Sequence, residues 1–209
     1  MTVIVVAFDR STGYIYDMSF HRASRILTLA ALLFLTAIVP PASANDRFKP
    51  FYGSYVGTGI AEQMGKKVFE QRDLDVQIKP YKNNGFTLKW ITVVRTPDGE
   101  RDADGVKRRE VEESFIPYQG KENVFIDAPK GGLFSKAELP NPLKGEPLRW
   151  ASIAGATLTV YSMAITDSGA SELQVYHRTL TEQGMSISFL RMHDEQTLVR
   201  LSGELVRAQ

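Results

Sequence analysis

The sequence predicts an all-β protein, an antiparallel meander that closes into a β-barrel of about eight to ten strands. Three observations lead there. Apolar and polar residues alternate with period two through most of residues 48–207, and helical periodicity hardly appears. Strand-like segments recur at roughly ten-residue spacing, the pattern of a meander. Short turn signals such as Asn-Gly separate them, and no internal repeat divides the chain.

The elements follow in order. "FYGSYVGTGI" (51–60) opens the barrel: Gly53, Tyr55, Gly57 and Gly59 share one face, and Tyr52, Val56 and Ile60 the other. Glycines on one face let a strand bend and let another backbone approach, as barrel corners require. "DLDVQIKP" (73–80) alternates cleanly. "KNNG" (82–85) turns it into "FTLKWITVVRT" (86–96), whose Phe86, Leu88, Trp90 and Val94 fall on one side. A polar turn region, "TPDGERDADG" (96–105), leads to a charged strand at 106–118, and "ENVFIDA" (122–128) is a short one. Residues 129–147 hold four prolines and three glycines, which marks an irregular loop of the kind that often serves as a lid. Strands at 148–153, 155–166, 171–180, 185–193 and 196–207 complete the meander, the last hairpin turning tightly at Asp194-Glu195.

The N-terminus reads as an export signal. His21, Arg22 and Arg25 precede the apolar run "ILTLAALLFLTAIV" (26–39), and "ASA" (42–44) supplies small residues before a cut between Ala44 and Asn45. The run is shorter than the roughly 20 residues that span a bilayer. Residues 1–17 carry Asp9 and Asp17 and fit poorly before such a signal, so Met18 is the expected start. Residues 1–44 are thus an extension plus cleavable signal, and 45–209 a single domain of 165 residues, periplasmic or secreted, with no membrane span after cleavage.

Composition narrows the function. Removing Arg10, Arg22, Arg25, Asp9 and Asp17 leaves 22 basic and 22 acidic residues, without the basic excess of a nucleic-acid binder. The basic cluster "KRR" (107–109) runs straight into "EVEE" (110–113) and reads as a solvated strand face. With no cysteine, disulfides, thiol catalysis and cysteine-ligated metal sites are excluded.

Few motifs carry chemistry. Gly59 and Gly65 enclose five residues where a phosphate loop needs four, and Lys67 stands where it needs a hydroxyl. Glu100, Asp102, Asp104 and Gly105 match part of a calcium loop, but position 12 falls on Val111 and Lys107–Arg109 crowd it with positive charge, so a hairpin turn is expected. No nucleophile has a base in triad context, and the adjacent Glu112 and Glu113 point to opposite faces of a strand. An enzyme is therefore not the expectation; an isomerase or cyclase on this scaffold would need a perturbed ionisable group in a closed pocket.

The first strand, Gly53-Ser54-Tyr55 early in an exported chain and followed by a meander, resembles the G-x-aromatic start of the lipocalin or wider calycin group, with tyrosine in place of tryptophan. The resemblance implies a lipocalin-like barrel that holds a small apolar or amphipathic ligand, as in exported bacterial proteins of this size. Parity supplies candidate ligand residues. His177 shares parity with Leu173 and Val175, and Arg191 and His193 with Met185, Ile187 and Phe189. If the apolar residues face inward, these three ionisable side chains do too, near the strand ends, where Arg191 would clamp a carboxylate. The expected ligand-binding set is Tyr55, Trp90, His177, Arg191 and His193, in a monomer without cofactor or metal and with residues 129–147 as lid or portal. The competing expectation is an interaction module whose barrel interior is packed.

Overall fold

The computed structural model describes residues 47–65, 68–82, 84–95, 106–129 and 140–208. The signal-peptide region, residues 100–105 of the calcium-like stretch and residues 130–139 of the 129–147 loop lie outside them. A short 3-10 turn, Lys49–Phe51, precedes ten strands. They are β1 (Gly53–Gln63), β2 (Val68–Tyr81), β3 (Gly85–Val94), β4 (Arg108–Pro117), β5 (Val124–Asp127), β6 (Leu148–Ala154), β7 (Thr157–Ile165), β8 (Ser171–Leu180), β9 (Gly184–His193) and β10 (Gln196–Arg207). Every strand pairs antiparallel with its sequence neighbours and β10 returns to β1, so the sheet closes. This is the predicted meander barrel, and closure leaves no free sheet edge.

The tight turns behave as their residues dictate. Asp194 and Glu195 both take positive φ (44° and 67°), the geometry that matches a two-residue hairpin to strand twist. Asn84 does the same at the β2–β3 turn (φ 57°). β1 is the glycine-faced strand expected, with Gly59 directly opposite Gly203 of β10. A Cβ on Gly57 would stand 2.1 Å from the Glu204 carbonyl oxygen, so the approach of β1 to β10 requires glycine there.

One end of the barrel is plugged by the segment before β1. Phe48 packs on Phe86 and Phe125 with ring centroids 4.4 and 4.7 Å away, and Phe86 stacks on Phe115 at 5.0 Å. Phe48, Phe51, Tyr55, Phe86 and Phe115 are all buried, as are Ile78, Leu158, Met185 and Leu205 around them. Arg207, near the end of β10, latches the plug: Nη1 donates to the Tyr52 carbonyl (2.7 Å), and Nη2 to the Pro50 carbonyl (2.9 Å) and the Tyr55 hydroxyl (2.8 Å). The other end is the mouth, where β3, β5 and β7 end and β4, β6 and β8 begin. The outward residues of β2 to β4 include Gln77, Lys79, Lys89, Glu110 and Glu112, and Lys89 pairs with Glu110 at 2.6 Å across the outer surface.

Candidate functional site: a divided barrel interior

Halfway up the barrel the apolar core gives way to aromatic and charged side chains. Trp90 from β3 and Tyr176 from β8 meet across the lumen with centroids 5.5 Å apart, and Tyr176 stacks on Phe189 of β9 at 4.5 Å. These rings form a septum with a chamber on either side. One chamber, about 440 Å³, lies between β3–β4 and β6–β8, lined by Glu113, Arg149, Val160, Glu172, Gln174 and the septum. The other, about 340 Å³, is lined by Leu74, Val76, Ile187, Leu201, Arg178 and the same septum. Both fall in the size range of small-molecule sites.

The two chambers differ in chemistry. In the first, charges are matched. Arg149 Nε donates to Glu113 Oε1 at 2.6 Å, and its Nη1 reaches Asp127 Oδ2 at 3.4 Å; both carboxylates are buried. At the mouth Arg191 donates from Nε and Nη2 to the two oxygens of Glu172 (3.1 and 2.7 Å). That guanidinium holds the Glu172 carboxyl below the usual carboxylate range. A chain of donors continues inward: Gln174 Nε2 donates to Glu172 Oε1 (2.7 Å), and the Tyr176 hydroxyl donates to Gln174 Oε1 (2.9 Å). Burial pushes the Tyr176 phenol up.

In the second chamber the polar group is Arg178, 1% exposed. Its guanidinium lies 5.3 Å from the centroids of both Trp90 and Tyr176. Its Nε and Nη1 have no hydrogen-bond partner among the described residues. Burial pulls its pKa well below the ordinary guanidinium range, to about 10.

The structure relocates part of the expected site. Trp90 lines both chambers. Arg191 and His193 share the inward face of β9 with Phe189, and Arg191 is engaged by Glu172. Tyr55 points inward but into the plug, donating to the Phe51 carbonyl at 2.9 Å, and lines neither chamber. His177 does not face inward. The register pairs Tyr176 with Val160 and Phe189, both interior, which sends His177 to the outer surface beside Thr159, whose hydroxyl lies 3.0 Å from Nδ1. The inward face of β8 is Glu172, Gln174, Tyr176 and Arg178, and its apolar Leu173 and Val175 point outward. Parity was right about the alternation and wrong about which half is inside, because on this strand the interior face is the polar one. Of the predicted lid, Gly145 and Pro147 line the rim of the first chamber.

No protein-family model and no curated protein matches the sequence. Among solved structures, the barrel aligns with an S-type phycobiliprotein lyase from Guillardia theta at 9% identity and a TM-score of 0.39, covering 81% of this chain and 94% of that one. A 12:0-ACP thioesterase from Umbellularia californica aligns at 10% identity and a TM-score of 0.17, covering 88% of each chain. Likeness this distant carries no information on ligand or chemistry, which must come from the barrel itself.

Proposed function

We propose that this is an exported, monomeric, lipocalin-like carrier that holds a small amphipathic molecule inside its barrel. The observation that carries the reading is the divided lumen. A barrel of ten strands can fill its interior with side chains, yet here two chambers of about 440 and 340 Å³ flank the Trp90–Tyr176 septum above an aromatic plug. Apolar walls with a few convergent polar groups are the usual composition of a small-molecule site. Export rests on residues 26–44, and the closed sheet, with no edge to pair, suits a monomer.

Native mass spectrometry of the protein taken from its own compartment tests both parts. The carrier reading expects a mass beginning at Asn45 plus a small molecule released on denaturation. A mass that still contains residues 26–44 would overturn export with cleavage at Ala44. An empty chain that no lipid or amphiphile stabilises would overturn the carrier and favour a packed interaction module.

A further inference from the structure

We propose that the ligand of the smaller chamber is an amphipathic mono-anion, and that Arg178 receives its carboxylate. This rests on the carrier reading above and names the class of molecule carried.

Arg178 is fully buried. A guanidinium this deeply buried is ordinarily paired, because removing a charge from water is costly. The faces of Trp90 and Tyr176 offset part of that through cation–π attraction, but neither ring face accepts the N–H groups strongly. Glu113 acts on Arg178 electrostatically, yet its Oε1 is held by Arg149 at 2.6 Å. Arg178 therefore lines a 340 Å³ cavity while its buried Nε and Nη1 have no acceptor among the described residues. A planar carboxylate suits such donors better than an alcohol does, since both partners are charged and the guanidinium is rigid.

The charge of the walls points the same way. Of the five basic residues that line the smaller chamber, Arg72 is paired with Glu70 (2.6 Å) and Arg108 with Glu110 (3.0 Å), which leaves Lys107, Arg109 and Arg178 against one lining acid, Asp75. The larger has two, Arg109 and Arg149, against Glu113, Asp167 and Glu172. The basic run at 107–109, which reads in the sequence as a solvated face, thus supplies rim residues of the chamber that holds the unpaired guanidinium. A basic rim raises the local concentration of an anion and speeds its entry. Leu74, Val76, Ile187 and Leu201 offer the apolar body a dry surface.

Isothermal titration of the full chain with dodecanoate, dodecanol and dodecyltrimethylammonium tests the assignment, with Arg178→Met and Arg178→Lys beside the wild type. The expected result is dodecanoate bound roughly ten- to a hundredfold tighter than dodecanol, the range of one charged hydrogen bond. The ammonium amphiphile should bind weakest. Arg178→Met should lose the preference while keeping its affinity for dodecanol, and Arg178→Lys should keep part of it. Equal affinity for acid and alcohol, or a preference that survives in Arg178→Met, overturns the assignment and leaves the carrier intact. Binding of none of the three overturns the carrier reading and the assignment with it. An Arg178→Met chain that fails to fold while Arg178→Lys folds makes Arg178 a structural cation, which also overturns the assignment.

Discussion

At the scale of single residues, Arg178 and Glu172 show how burial and partners set the sign of an effect. The Arg178 guanidinium drops from its ordinary range to about 10 because burial disfavours its charged form. At about 1.4 kcal/mol per pKa unit, that burial destabilises the ligand-free fold by about 3 kcal/mol. The folded pKa is the lower one, so the penalty is complete below about pH 10 and is relieved progressively as pH rises from there toward the higher unfolded value. Arg178→Met is therefore expected to raise the thermal midpoint of the ligand-free protein, equally at pH 6 and pH 8. A fall in the midpoint would show the arginine to be paired in solution. Glu172 has the opposite consequence. Arg191 lowers its carboxyl below the ordinary 4.5, so the pair's stabilisation is full above that value and fades as pH falls through the folded pKa. Glu172→Gln should cost about 1 kcal/mol at pH 7 and progressively less below pH 4, read by urea unfolding at each pH. A pH-independent difference would mean that the pair contributes only shape.

At the scale of strands, β1 and β8 mark what alternation in a sequence can and cannot tell. β1 was legible because glycine is informative by itself: Gly57 and Gly59 allow a backbone approach that other residues forbid, whichever way the strand faces. Gly57→Ala places a methyl 2.1 Å from the Glu204 carbonyl and 2.9 Å from Leu205 Cα. Both contacts are backbone, so the strands must part, at about 1–3 kcal/mol. Chemical denaturation should show that loss, whereas Gly120→Ala, where no atom lies within 4 Å, should show only the smaller effect of a positive φ of 78°. β8 was half legible. Its period was plain, but Leu173 and Val175 suggested an interior face that the register assigns to the outside. There Val175 shares a row with Tyr161 and Leu190, and Tyr161 stacks on Trp150 at 4.9 Å. Those outer residues shelter one another, so an apolar face need not mean a core face. The opposite face, Glu172-Gln174-Tyr176-Arg178, held the signal for the site: four polar residues at period two on a strand inside a meander. Only the pairing to Phe189 and Val160 reveals that they converge on one lumen, because that convergence is a property of register and not of composition.

At the scale of the whole molecule, function and stability are divided between the two ends. The mouth half spends its interior on charges and space, which contribute little to folding and would collapse without a rigid support. The closed half supplies that support through a segment that belongs to no strand. Phe48 fills the barrel floor against Phe86 and Phe125, and Arg207 ties the Pro50 and Tyr52 carbonyls to the final strand, so the segments at either end of the described residues close the same end of the barrel. Phe48→Ala should therefore remove about 3–5 kcal/mol, the usual loss for a fully buried phenylalanine, and lower the midpoint of a single cooperative transition. Phe69 is 69% exposed on the outer surface, and Phe69→Ala should change stability by no more than about 0.5 kcal/mol. Because Phe48 lines neither chamber, the Phe48→Ala chain should bind an amphiphile with unchanged affinity below its new midpoint. If affinity falls together with stability, floor and chambers are one cooperative unit, and the plug positions the Trp90–Tyr176 septum as well as closing the barrel. An unchanged affinity in the weakened protein would instead locate the plug's action in folding alone, with the septum held by β3, β8 and β9.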